Sequence, residues 1–156
     1  MPVAAPVRKI RFDLQPWEFG GEYALVPYVD NVSLIHLVAG YEHAAGFDVA
    51  GKYAGLVLGR FSCGDLTAYL GGRPDSPHWA RLGVIALLGC TCGEVGCWPL
   101  YAQVIVDRQA VTWRGFHQPF RQHRDYGSFG PFAFRRTQYD SAVRQVAARV
   151  LESLTQ

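Results

Sequence analysis

The chain has 156 residues, of which 49% are hydrophobic and 18% charged, and its formal net charge is +2. This length fits one domain with its own core, and the apolar, nearly neutral composition excludes a chain that is mainly disordered. The longest uncharged runs, residues 82–93 and 95–106, hold 12 residues each. A membrane-spanning helix needs about 20 residues, so we expect none.

The first ten residues lack the basic start and continuous apolar run of a secretory signal peptide, so we expect a cytoplasmic protein. Cytosolic thiols stay mostly reduced, and clustered cysteines there favour metal binding or redox chemistry over stable disulfides. Residues 107–156 carry eight basic and four acidic side chains, a weak excess for a nucleic-acid-binding stripe. We therefore expect neither a membrane nor a nucleic acid as partner, and a homo-oligomer stays open.

Apolar and polar residues alternate over residues 7–14, which predicts a half-buried strand with Ile10, Phe12 and Leu14 on its inner face. Residues 22–29 are rich in β-branched and aromatic side chains. Such residues favour strands, so this segment is expected to form the second one.

The dipeptide Asp30-Asn31 suits a two-residue turn after the second strand. A very short strand and then a helix are expected next, because apolar residues recur at helical spacing from Leu34 onward. Ser33 is the expected N-cap of this helix, and Gly46 is expected to close it.

The second half of the chain predicts further strands. Residues 82–89 form an apolar run typical of a buried strand, with a helix capped by Ser76 as the alternative. Residues 98–107 and 111–116 predict an antiparallel pair in which only one face is apolar. Between this pair and the last helix, residues 116–134 are expected to form an aromatic loop.

The last element is an amphipathic helix. Thr137 and Asp140 have the spacing of a capping box, which places the helix start at Thr137. Apolar residues at helical spacing form a stripe along it: Tyr139, Ala142, Val143, Val146, Ala147, Val150, Leu151 and Leu154. The expected fold class is therefore α+β, with an antiparallel β-sheet and this C-terminal helix packed on it, in a single domain of residues 1–156.

Three of the four cysteines fall in one glycine-rich loop between two predicted strands. Cys90, Cys92 and Cys97 lie within residues 89–100, whereas Cys63 lies well upstream. If the flanking strands pair as a hairpin, we expect Cys90 and Cys97 at its neck and Cys92 in its loop.

Three chemistries and one structural role fit this loop. Cys90, Cys92 and Cys97 are candidate zinc ligands, with Cys63 or a histidine as the fourth, although paired C-x2-C spacing is absent. A disulfide between Cys90 and Cys97, with which Cys92 exchanges, is the redox alternative. Cys92 as a catalytic nucleophile is the third, without a nearby base motif. Plain packing of small buried thiols is the structural alternative.

The stretch LLGCTCGEVGCWPL, residues 87–100, resembles the G-C-x-C-G-x-x-G-C-W-P-L signature of an uncharacterised bacterial protein family of about this size. Other pieces of the chain are similar to the same family: residues 16–19, 28–30 and 130–134. The resemblance implies that Cys90, Cys92 and Cys97 belong together, and it implies no reaction. Cys63 lies outside the pattern.

Residues 113–126 interleave aromatic side chains with arginine and histidine. This pattern indicates either a stacking platform for an anionic or aromatic ligand or a loop packed on the sheet. His117 and His123 are its candidate ligands or proton carriers. The chain has no P-loop, dinucleotide-binding, zinc-protease or nucleophile-elbow motif.

The sequence thus predicts a small binding or interaction domain whose Cys-Gly loop is held by a structural metal, zinc, or by packing alone. A thiol-dependent enzyme or redox factor using Cys92, with His117 or His123, is the first alternative. A weak nucleic-acid or anion binder through residues 113–126 is the second. Whether the protein is an enzyme stays open on sequence alone.

Overall fold

The computed structural model describes residues 5–17 and 21–154, with the side chain of Leu154 outside the described part. Within these residues it contains four helices: α1 (Leu34–Ala45), α2 (Leu66–Leu70), α3 (Pro77–Ala80) and α4 (Arg136–Leu154). It also contains ten strands: β1 (Val7–Arg8), β2 (Ile10–Pro16), β3 (Tyr23–Val29), β4 (Val32–Ser33), β5 (Tyr53–Ala54), β6 (Leu56–Val57), β7 (Val84–Cys90), β8 (Leu100–Val106), β9 (Ala110–His117) and β10 (Phe132–Arg135).

The described strands form two sheets instead of the single sheet expected. The larger has the order β1-β10-β9-β8-β7-β5, and the smaller has the order β2-β3-β4, with β6 also paired to β3. Every pair is antiparallel except β1 with β10. The predicted α+β class, with antiparallel sheets and the C-terminal helix packed on them in one compact domain, is confirmed.

The strand β2 and the turn between β3 and β4 follow their sequence patterns. Ile10, Phe12 and Leu14 are all buried, as the alternation predicts. The turn residues Asp30 and Asn31 have φ values of 49° and 65°, the left-handed backbone that a tight two-residue hairpin turn requires. The prediction is therefore confirmed for residues 10–14 and for the second strand, but Val7 and Arg8, expected in the first strand, form β1 and pair with β10 of the larger sheet.

Helix α1 has the predicted ends. The Ser33 hydroxyl accepts the amide N–H of His36 at 3.0 Å, which satisfies one free donor of the first turn. Gly46 ends the helix with φ of 74°, a left-handed conformation that glycine adopts without a side-chain clash.

The segment after Ser76 forms both of the predicted alternatives, first a short helix and then a strand. Pro77 is the first residue of the short helix α3, and the strand β7 then begins at Val84. Every residue of β7 is buried. A strand covered on both faces carries a continuous apolar run, and this explains why alternation is absent there.

Three predictions about the C-terminal half are wrong in detail. Residues 132–135 form strand β10 inside the expected loop, because they pair with β9 on one side and β1 on the other, contacts that local sequence does not show. Helix α4 begins at Arg136, so Thr137 lies inside its first turn, and Asp140 pairs with Arg136 at 3.1 Å. On the predicted apolar faces, Val106 and Leu151 are 39% and 65% exposed.

Helix α4 packs on both sheets through one tyrosine. The ring of Tyr139 packs edge-on against Phe12 of the smaller sheet and against Trp113 of the larger one. Its hydroxyl accepts the Trp113 indole N–H at 3.1 Å and donates to the carbonyl of Leu70 at 2.6 Å. The Tyr139 hydroxyl and the Trp113 indole N–H thus both have hydrogen-bond partners, as buried polar groups require.

Candidate thiol site

The cysteine loop connects β7 to β8. The two strands pair up to Leu88 and Leu100, so these leucines form the neck of the hairpin. A single 3-10 turn over Val95–Cys97 shapes the end of the loop. Gly93 adopts φ of 95°, a backbone conformation that favours glycine, which explains a glycine at this position.

The three loop cysteines occupy different environments. Cys90 is buried at the end of β7, opposite Tyr53 of β5, instead of facing Cys97 across the neck as expected. Cys92 and Cys97 are exposed, and all four cysteines of the chain are free thiols. The structure therefore brings the predicted residues together, with one thiol beneath the surface and two on it.

Two backbone amides point at sulfur atoms in this loop. The Cys92 N–H donates to the Cys90 sulfur, and the Glu94 N–H donates to the Cys92 sulfur, both at 3.4 Å. Backbone N–H donors stabilise a thiolate more than a thiol. Of the two amides, the Glu94 N–H is the one that favours negative charge on Cys92, whose thiol also lies 3.9 Å from the Glu94 carbonyl.

The pKa values of the two exposed thiols move in opposite directions. The Glu94 amide, followed by the side chains of Cys90 and Cys97, lowers the pKa of the Cys92 thiol below 9.0, the ordinary value of a cysteine. The pKa of the Cys97 thiol is raised, chiefly by its hydrogen bond to Cys92. Of these two thiols, Cys92 is therefore the one that loses its proton at the lower pH.

The described residues contain no assembled set of ligands for the metal ion expected from the sequence. Within residues 5–17 and 21–154, no group of three or more His, Cys, Asp or Glu side chains is arranged to hold a metal ion. The two candidate histidines have other surroundings: His117 Nδ1 lies 2.9 Å from the carbonyl of Gly115, and His123 lines a groove beside Trp98. Among the hydrogen bonds of residues 5–17 and 21–154, none joins either histidine to Cys92.

Trp98 directly follows Cys97 and is packed against an arginine. It is buried, and the Arg121 guanidinium stacks on its ring at 3.6 Å and donates to the Cys97 carbonyl at 3.4 Å. The Trp98 indole N–H has no hydrogen-bond partner in the described part of the chain. Arg121 therefore connects the Trp98 ring to the backbone of Cys97.

A buried polar network lies next to Trp98, and the sequence analysis does not predict it. The Glu42 carboxylate accepts the Arg124 guanidinium at 3.0 Å and the Tyr126 hydroxyl at 2.8 Å. Tyr126 in turn lies 2.9 Å from the Tyr53 hydroxyl, which the Gln118 amide approaches at 3.5 Å. The only sequence signal is the position of Glu42, one turn after the buried Val38 on α1.

The buried network includes side chains from residues 113–126. Trp113, Phe116 and Tyr126 are buried, and Arg124 is committed to Glu42 and to the carbonyl of Val49. The segment therefore begins in strand β9, and most of its aromatic side chains pack in the core, as in the second of its two interpretations. Phe120, at 65% exposure, remains open to solvent, and the binding alternative for this segment stays a prediction.

Cys63 belongs to a different part of the surface. It lines a groove of about 460 Å³ together with Phe61 and Val150, and its thiol donates to the carbonyl of Gly64. Burial raises the pKa of this thiol. No hydrogen bond joins Cys63 to the loop cysteines in the described part of the chain, and its place outside the family signature stays a prediction.

Two findings complete the description of the molecule. Of the helices that the structure describes, none has the length and apolar character required to cross a bilayer. Comparison of the chain with protein-family models, with curated proteins and with solved structures gives no match, so the family resemblance of residues 87–100 stays a prediction.

Proposed function

We propose that the protein is a thiol-exchange protein in which Cys92 attacks a disulfide and Cys97 completes the reaction. The observation that supports this proposal is the arrangement around Cys92: an exposed sulfur that accepts a backbone N–H and interacts with a second exposed thiol on the same loop. Exposed thiols held in this way react faster than buried ones, because the thiolate is the nucleophile.

The proposed reaction balances within the loop and one external disulfide. The Cys92 thiolate attacks one sulfur of the disulfide, the S–S bond breaks, and the leaving thiolate takes up a proton. Cys97 then loses its proton and attacks the Cys92 sulfur, which releases the second thiol and forms a Cys92–Cys97 disulfide. The protein dithiol is oxidised by two electrons, and the external disulfide is reduced to two thiols.

Cys90 has a supporting role in this proposal. It is buried, and its sulfur accepts the Cys92 amide instead of facing solvent. A thiol in that position orients the loop, and we do not expect it to attack a disulfide.

The roles can be tested by alkylation and trapping. We expect iodoacetamide at neutral pH to modify Cys92 first, as located by peptide mass spectrometry. Treatment with oxidised glutathione should produce the Cys92–Cys97 disulfide, and Cys97→Ser should instead retain glutathione on Cys92. Cys63→Ser is the matched control and should behave as the parent protein does. Equal alkylation of all four thiols, or a disulfide that includes Cys90 or Cys63, would contradict the proposal.

A second candidate is a binding or interaction domain with a structural zinc on Cys90, Cys92 and Cys97, which would have to move together because they form no assembled ligand set among the described residues. Two N–H···S hydrogen bonds within the loop favour it, because the same bonds stabilise metal-bound thiolates. Elemental analysis of protein purified without chelator separates the two candidates. One equivalent of zinc, lost in Cys90→Ser, would support the metal site, whereas metal-free protein with a fast Cys92 supports thiol exchange.

A further inference from the structure

Another groove, whose lining includes no cysteine, has the chemistry of a ligand site. It has a volume of about 560 Å³ and lies between α2, strands β8 and β9, and the first turns of α4. Volumes of about 300–1,000 Å³ are typical of small-molecule sites. Nothing in the proposed thiol chemistry uses this groove.

The groove has an apolar floor. Val104, Val106 and Val111 from the two neighbouring strands and Val143 from α4 line it. Val106 is 39% exposed, whereas Val104, Val111 and Val143 are buried, so Val106 is the part of the floor that is open to solvent. An exposed apolar side chain inside a concave surface favours an occupant with a hydrocarbon body.

The rim of the groove is cationic. Three arginines, Arg73, Arg136 and Arg144, line it with one carboxylate, Asp140. Arg136 is committed to Asp140 at 3.1 Å and to the carbonyl of Asp107 at 2.8 Å. Within the described residues, the guanidinium groups of Arg73 and Arg144 form no ion pair and no hydrogen bond.

We propose that this groove binds a small amphipathic anion, a monocarboxylate with a short hydrocarbon chain, with the chain on the valine floor and the carboxylate between Arg73 and Arg144. The guanidinium group is suited to carboxylates because its planar N–H groups match both oxygens. The one carboxylate already in the groove is paired with Arg136, so the two remaining arginines give the site its charge preference.

Octanoate is a suitable probe, with 1-octanol and octylammonium as chain-matched neutral and cationic comparisons. In a two-dimensional NMR titration we expect saturable shifts of the amides of Val106, Val111 and Arg144 with octanoate. The Arg73→Gln/Arg144→Gln variant should weaken octanoate binding by about tenfold or more and leave octanol binding unchanged. Arg149→Gln, a change on the same helix but outside the groove, is the matched control and should bind as the parent protein does.

A second variant tests the floor without touching the arginines. Val106→Asp places a negative charge on an exposed position, so we expect a folded protein that no longer binds octanoate. The proposal is overturned if octanoate causes no saturable shifts, if octanol or octylammonium binds as tightly, or if the shifts map outside the groove. None of these outcomes depends on the reactivity of Cys92.

Discussion

Arg124 and Glu42, which are 82 positions apart in the chain, form an ion pair of 3.0 Å with almost no exposure to solvent. Burying two charges is costly, and the attraction between them offsets this cost only when the remaining polar atoms are also satisfied. Here Tyr126 and the Gly51 amide also donate to Glu42. The pair therefore connects helix α1 to the segment that carries Arg121 and supports the thiol loop.

Replacing Arg124 measures how much this ion pair contributes to the free energy of unfolding. We expect Arg124→Met to lower the free energy of unfolding by about 3–5 kcal/mol, because Glu42 would stay buried without its cation. Urea unfolding followed by circular dichroism measures the change. Arg149→Met, which breaks the exposed pair with Asp13, is the control and should cost at most about 1 kcal/mol. Equal losses in the two variants would show that the buried pair has no special weight.

The thiol loop should be sensitive to the backbone at Gly93. An alanine there must keep φ near 95°, and its Cβ would lie 2.5 Å from the Arg60 guanidinium. We expect Gly93→Ala to cost about 1–2 kcal/mol and to slow alkylation of Cys92, because the Glu94 amide follows directly. Gly96→Ala has open space around it and should change stability by less than about 0.5 kcal/mol. If Cys92 is alkylated at the parental rate in Gly93→Ala, the backbone conformation at Gly93 does not control its reactivity, and the prediction is wrong.

Gly55 lies where the chain passes from β5 in the larger sheet to β6 in the smaller one. A Cβ at this position would lie 2.8 Å from both the Leu25 carbonyl oxygen and a methyl group of Val26. We therefore expect Gly55→Ala to destabilise the protein by about 1–3 kcal/mol in urea unfolding. Gly40→Ala, in helix α1 with no atom within 4 Å, should instead stabilise it by up to about 1 kcal/mol. Opposite signs are the essential result, and a shared sign would refute the steric argument.

The tyrosines of the buried network predict a loss of stability in alkali. Burial is the main cause that raises the pKa of Tyr53 to about 12, and burial also raises the pKa of Tyr126. Because the neutral form is favoured in the folded state, this stabilisation is complete below pH 10 and is lost as the pH rises from 10 to about 12. Urea midpoints measured across this range should fall more steeply for the parent protein than for Tyr53→Phe. Identical slopes would contradict the link to Tyr53.

Local patterns were sufficient where the determining contacts are close in sequence. The inner face of β2, the turn at Asp30 and the two ends of α1 depend on neighbours within a few residues. Alternation, a left-handed turn and a capping hydroxyl each leave a signature at short range. The grouping of Cys90, Cys92 and Cys97 in one loop belongs to the same class.

Other features depend on partners far away in the chain and leave no such signature. Strand β10 exists because β9 and β1 lie on either side of it, and the start of α4 was misplaced by one residue because its capping pattern competes with the Arg136–Asp140 pair. The exposure of Val106 is likewise decided by the groove beside it. Local propensity is a weak prior that tertiary contacts override.

By itself the sequence determined the fold class, the first hairpin and helix, and the set of cysteines that belong together, since each follows from short-range spacing. Only the tertiary structure decided the division into two sheets, the burial of Glu42 with Arg124, and which of the loop thiols are buried and which are exposed. A buried ion pair across 82 residues and a backbone amide directed at the Cys92 sulfur arise from the three-dimensional approach of groups. The composition of a segment does not encode that approach, because desolvation and hydrogen bonding are set by what surrounds a group after folding.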